Sequence, residues 1–224
     1  MSAGNSVGEA LPLAPIDPGT TLFVAGPSLS RADDLARALV LAGDGEEGSL
    51  FVSTNQPAGK LLDECERLVP GFDPARTGVV DCTGQESADE TRARVETVST
   101  PGDLTGIGIE FSMLYETLHA EGVEHVRAGV LTVSTLLMYA DLRAVFRFMH
   151  TLSSRISTTD GVGVFVIDPD THDEQTVNTL NQVCDGRVEV QETDAAGADG
   201  ELRVRGLDDQ PREWTEFSLS ERAR

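Results

Sequence analysis

The 224-residue chain is long enough for one domain that buries roughly 70% of its unfolded surface, so its three cysteines need not act as staples. Nineteen Asp and nineteen Glu face sixteen Arg and one lysine, Lys60, a formal charge of -21 that suits a salt-rich cytoplasm, where the Debye length falls to about 3 Å. With no basic stripe, no helix-turn-helix pattern and little counterion release at such ionic strength, nucleic acid is not the expected partner.

The first residues carry Pro12, Pro15 and Pro18 but no basic run and no long apolar stretch, which makes neither a signal peptide nor a membrane anchor. Residues 1–19 are expected to be disordered, 20–219 to form the domain and 220–224 to be a disordered tail, in a cytoplasmic protein without membrane contact. From Thr20 onward short β-rich apolar runs alternate with segments whose apolar residues fall three and four apart, the pattern of parallel strands crossed by helices. Strands are predicted at 22–25, 50–53, 79–82, 126–133 and 162–167, most of them too continuously apolar to have a wet face.

Between the strands, Leu35, Ala38, Leu39 and Leu41 mark one helix, and Leu61, Leu62, Cys65, Leu68 and Val69 a second, stopped by Pro70 and Gly71. A third runs through Ile107, Phe111, Leu114, Tyr115 and Leu118 and ends at Gly122; a fourth spans Leu142 to Ile156; a fifth carries Val177, Leu180 and Cys184. After Asp185 the rhythm becomes alternation, with Val188 and Val190, Leu202 and Val204, then Trp214 and Phe217, which reads as an antiparallel hairpin beside the parallel sheet. The cysteines Cys65, Cys82 and Cys184 lack any C-x-x-C pairing or histidine cluster and read as small buried hydrophobes, so no structural metal is expected.

Open parallel sheets bind ligands beyond the carboxyl ends of their strands. The first such loop, Gly26-Pro27-Ser28-Leu29-Ser30-Arg31-Ala32-Asp33, has the strand-turn-helix layout of a P-loop. A working G-x-x-x-x-G-K-[ST] needs a second glycine, a lysine and a magnesium-binding hydroxyl. Arg31, Ala32 and Asp33 stand at those positions, and Asp33 and Asp34 place carboxylates where the helix dipole would otherwise hold an anion. Ser30 and Asp33 read as a shortened capping box. Gly26, Ser28, Ser30 and Arg31 are the candidate residues for any weak anion site that survives there.

This turn, the following 50–56 stretch, and the 126–156 stretch with Val133-Ser134-Thr135-Leu136-Leu137-Met138-Tyr139 resemble the core of the RecA/RadA and KaiC-type ATPases. Phe146-Arg147-Phe148-Met149-His150, the strand around 161–168 and the closing Leu202-Arg203-Val204-Arg205-Gly206 are similar to the end of a KaiC-like module. The resemblance spans about residues 20–219 and suits degenerate KaiC-like proteins of haloarchaea. It implies an α/β fold: a three-layer RecA-like, mainly parallel sheet with helices on both faces and a C-terminal antiparallel hairpin. It also implies a catalytic glutamate after the second strand, where this chain has Asn55-Gln56, and a Walker B aspartate, where it has Leu131. Without lysine, hydroxyl, general base and metal-side carboxylate, hydrolysis by that family's route is not expected, and ATP binding is in doubt. Arg203 and Arg205 resemble a Lys-x-Arg that reaches a neighbouring subunit's nucleotide; two alternating arginines on a strand also serve simply to balance acidic neighbours.

Asp168, Asp170 and His172 gather oxygen and imidazole ligands at the ligand end of a strand, but Thr171 with Glu174 makes a capping box there and Pro169-Asp170 suits a turn. His150 reads as a packed or edge histidine, and His119 and His125 flank a helix end where a cation suits the dipole. The small-residue segment 99–108 leads into the third helix; its amides could bind an anion or simply let the chain turn, and Thr105 as the expected N-cap favours the turn. There is no G-x-S-x-G elbow, H-E-x-x-H or dinucleotide fingerprint. Three readings follow. The first is a catalytically degenerate RecA/KaiC-like protein acting as a regulatory or scaffolding partner through protein contact or self-association, with no cofactor. The second is a non-hydrolysing nucleotide or anion sensor using Ser28, Ser30, Arg31 and the 53–56 loop. The third is a metal enzyme at Asp168, Asp170 and His172.

Overall fold

The computed structural model describes residues 11–43, 47–69, 72–84 and 92–219. In chain order the elements are β1 (Thr21–Ala25), α1 (Ala32–Leu41), β2 (Gly48–Ser53), α2 (Ala58–Leu68), β3 (Thr77–Asp81), β4 (Arg94–Thr97), α3 (Leu104–Ala120) and β5 (Val126–Val130). They continue with α4 (Val133–Tyr139), α5 (Leu142–Thr158), β6 (Val162–Ile167), α6 (Glu174–Asn181), β7 (Gly186–Gln191), β8 (Gly200–Arg205) and β9 (Thr215–Phe217). The strands form one sheet in the order β4-β3-β2-β5-β6-β1-β7-β8-β9. Pairing is parallel from β4 through β7 and antiparallel at β7-β8 and β8-β9. This is the mainly parallel α/β sheet with a C-terminal antiparallel hairpin that the residue pattern predicts.

Alternation along each strand feeds two cores. Leu22 and Val24 of β1, Phe51 of β2 and Val164 and Val166 of β6 pack with α1 and α2 on one face. Phe23, Leu50, Val52 and Phe165 pack with α3, α4, α5 and α6 on the other. Both faces being covered, the central strands have no wet side, and each fully buried Leu, Val or Phe contributes about 1.5–3 kcal/mol.

Several boundaries differ from expectation for local reasons. The predicted strand over 126–133 ends at Val130, because Thr132 takes an extended backbone and its hydroxyl accepts from Thr135 N at 3.4 Å, starting α4. Strand β4 goes undetected by periodicity because its Arg-Val-Glu-Thr sits half-exposed at the sheet edge. Caps fall on aspartate rather than on the predicted threonines: Asp103 accepts from Gly106 N for α3 and Asp173 from Thr176 N for α6, both at 2.8 Å. Neither Thr105 nor the Thr171/Glu174 pair caps its helix, since a short anionic acceptor also meets the helix dipole. Helix α3 does end at Gly122, whose φ of 91° suits glycine, while Pro70 and Gly71 lie outside the described residues.

Packing begins before Thr20. Leu11 is buried in the first core, Ala14 exchanges two 3.1 Å hydrogen bonds with the Gln210 amide, and Gly19 N donates to Gly161 O at 2.7 Å. Residues 1–10 and 220–224 lie outside the described residues.

Candidate functional site

Strands β2, β5, β6 and β1 are neighbours, so the loops at their carboxyl ends meet along one rim. After β1, Gly26 N donates to Ile167 O at 3.2 Å, and the turn closes with Ser30 N to Pro27 O at 2.9 Å and Ser30 Oγ to Pro27 O at 2.7 Å. A Cβ at Gly26 would lie 2.5 Å from Ser30 Oγ and 2.8 Å from Ala32 Cβ, so only glycine fits there. Ser28 Oγ donates to Asp168 Oδ2 at 2.5 Å, tying the loop to the end of β6.

Arg31 has φ 63° and ψ 18°, the left-handed conformation, at the position where a P-loop has its second glycine. An arginine therefore holds a left-handed conformation that glycine adopts far more readily. The predicted Ser30/Asp33 capping box is absent: the Ser30 hydroxyl is committed to Pro27 O, the left-handed turn puts Arg31 in the cap position, and no side chain caps α1. All four candidate residues, Gly26, Ser28, Ser30 and Arg31, thus share one turn, with both serine hydroxyls already donating within the chain.

The charges beside the turn neutralise one another. Arg31 pairs with Asp34 at 2.6 Å, Arg37 with Asp34 at 2.6 Å and with Glu64 at 3.0 Å, and Gln56 Nε2 donates to Glu64 at 2.8 Å. Arg31, Asp33, Asp34, Arg37 and Glu64 line an open groove of about 510 Å³. Burial raises the Asp33 carboxyl above its ordinary range; Arg37 opposes this, while Asp34, Glu64 and Asp168 add to it.

The remaining family positions carry apolar or amide groups. Ala32 and Leu131 are buried in the first core, Asn55 is exposed, and Gln56 is spent on Glu64. Asp168 N donates to Ser134 Oγ at 3.1 Å, and Asp168 accepts from Asp170 N and Ser28, so its carboxylate is engaged locally. Among the described residues no three His, Cys, Asp or Glu side chains converge as a metal site, the 168–172 segment included. Arg203 pairs with Glu189 across the strands at 2.5 Å and lies 4.3 Å from the Trp214 ring centre, while Arg205 is 3.9 Å from the same Glu189, the charge-balancing arrangement rather than a free reach.

Sequence reasoning passed over Asp81. It is fully buried, accepting Ala58 N at 2.7 Å and Thr83 N and Oγ1 at 2.9 and 2.7 Å, so it anchors the start of α2 to the end of β3. A lone aspartate closing the apolar run before Cys82 was the available signal.

Residues 19–190 match the model of a family described as a family of unknown function, DUF7504. The chain belongs to this family. No curated protein matches it. Among solved structures it is similar to the KaiC-like protein PH0186 of the hyperthermophilic archaeon Pyrococcus horikoshii OT3, with 12% identity, a TM-score of 0.60, and coverage of 89% of this chain and 84% of that one. At that identity the likeness concerns the fold, and it places this DUF7504 chain on a RecA/KaiC-like scaffold. No helix among the described residues is long and apolar enough to cross a membrane.

Proposed function

We propose that this DUF7504 protein is a catalytically degenerate KaiC-like protein of the haloarchaeal type. It serves as a regulatory or scaffolding partner in a salt-rich cytoplasm and does not hydrolyse ATP. One observation carries the reading: the arginines beside the phosphate-loop turn are bound by Asp34 and Glu64 of the same chain, in the positions that would otherwise face an anion. Ala32 and Asp33 replace the lysine and the magnesium-binding hydroxyl, Leu131 the metal-side aspartate, and Asn55-Gln56 the proton-accepting glutamate. An incoming polyphosphate would have to displace carboxylates from two arginines.

A second reading is favoured by one feature, the α1 N-terminus without a side-chain cap next to a turn that keeps its left-handed residue. That geometry suits a weak, non-hydrolysing nucleotide or anion sensor. Thermal melts in molar KCl with and without Mg-ATP separate the two. An unchanged melting temperature supports the partner role, a rise that disappears in Arg31→Ala supports the sensor, and ATP turnover lost in Arg31→Ala would overturn both.

A further inference from the structure

Helix α3 departs from the usual one-sided pattern: besides its buried row of Ile107, Phe111, Leu114 and Leu118 it exposes Ile109 and Met113, each more than half accessible. These two residues border a groove of about 580 Å³ between α3 and α5, floored by small residues that include Gly108, Ser112 and Ala144. Neighbouring α5 carries Arg143, Arg147 and Arg155 and no acidic residue, in a chain of net charge -21. Arg155 pairs with Glu116 of α3 at 2.9 Å. The exposed Arg143 and Arg147 have no carboxylate within ion-pair distance among the described residues.

We propose that this groove is the interface between two copies of the chain related by a two-fold axis. The face is self-complementary: it has protruding apolar side chains on α3, a shallow floor to receive them, a basic flank at Arg147 and an acidic flank at the exposed Glu116, one of whose oxygens holds Arg155 of its own chain. Helix α3 leads into β5 and α5 into β6, two adjacent parallel strands, so the two helices run parallel, and the Arg155–Glu116 pair puts residue 116 level with residue 155. Arg147, eight residues before Arg155 and about 12 Å along the axis, is therefore level with about residue 108. A two-fold axis near Ser112 and Met113 reverses α3, brings the partner subunit's Glu116 to the level of Arg147, and seats Ile109 and Met113 over the opposite groove. The two ion pairs are then made reciprocally, as a two-fold interface requires. The inference stands apart from the reading of the phosphate-loop turn, which shares no residue with this face.

The test is sedimentation equilibrium of the full chain at about 0.15 M and about 1 M KCl. The wild type is expected to be dimeric at micromolar concentration, more tightly so in the higher salt, where self-repulsion of the acidic surface is screened. Met113→Glu, at an exposed position, is expected to stay folded by circular dichroism and to sediment as a monomer. Arg147→Glu and Glu116→Arg, each alone, oppose like charges twice across the axis and weaken the dimer about tenfold or more. Mixing these two variants in equal amounts recreates both opposite-charge pairs and is expected to restore the wild-type mass. A wild type that is monomeric in both salts, a dimer indifferent to Met113→Glu, or a mixture no tighter than its parts would overturn the proposal. So would a monomer that instead associates with a different acidic protein through Arg147.

Discussion

Arginine at a left-handed backbone position has a definite energetic consequence. A non-glycine residue there is about 1–2 kcal/mol less stable than glycine. Arg31 recovers part of this through Asp34, but with its side chain about half exposed that ion pair contributes no more than about 0.5 kcal/mol. Arg31→Ala removes the pair and keeps the backbone cost, so it should destabilise by about 0.5 kcal/mol. Arg31→Gly removes both, at an expense of about 0.4–1 kcal/mol for the freer unfolded chain. Glycine should therefore exceed alanine by about 1 kcal/mol, or roughly 2–4 °C in melting temperature for a domain this size. Urea unfolding of the three proteins in molar KCl, with equal denaturant slopes, measures the difference directly. If alanine matches or exceeds glycine, residue 31 does not hold a positive φ, and the left-handed turn into α1 is refuted.

Asp81→Ala should cost about 2–3 kcal/mol in the same assay, because it strands the Ala58 amide inside the protein, whereas a loss below about 0.5 kcal/mol would show that water replaces the carboxylate. Asp33 carries the opposite sign. Its raised native pKa means that the folded state binds the proton more tightly, so its contribution is complete below the ordinary value of 3.8 and is lost as pH rises through the native value. Asp33→Asn should melt above the wild type at neutral pH, with the gap closing as pH falls through that window; a constant gap would refute the assignment. Burial pushes the Cys65, Cys82 and Cys184 thiols to about 12, leaving a thiolate fraction near pH 8 about a thousandfold below that of a thiol at the ordinary 9. Iodoacetamide followed by mass spectrometry should find all three unlabelled in the native protein and labelled in urea; rapid native labelling would place a thiol at the surface.

The parallel core was legible because strands covered on both faces must be apolar at successive positions, and the 162–167 run coincides with β6 residue for residue. What escaped was set by other forces. In β4 only Val95 is aliphatic, so no hydrophobic signal marks it, and it is held by backbone pairing to β3. The apolar character continuing from Val130 through Leu131 and Val133 concealed a change from strand to helix that a single Thr132 hydroxyl makes. Capping was misassigned for a related reason: Thr105 and Asp103 both suit a helix start, and the choice between them depends on where the chain turns, which tertiary packing decides.

The candidate site was legible at the level of position but not of bonding. Spacing alone placed Gly26, Ser28, Ser30 and Arg31 in one turn at the end of β1, but which hydroxyl meets which acceptor depends on β6, 140 residues away in the case of Ser28 and Asp168. Separation in sequence also hides the charge balance. Arg37 would read as a free helical cation, yet it is nine-tenths buried, and burial on that scale is tolerable only because Asp34 from its own helix and Glu64 from α2 both reach it. Removing the Glu64 carboxylate would therefore do more than open a groove, since it would leave a buried guanidinium half-compensated. Arg37 is thus committed to holding α1 against α2, and its positive charge cannot be lent to a phosphate without loosening that contact.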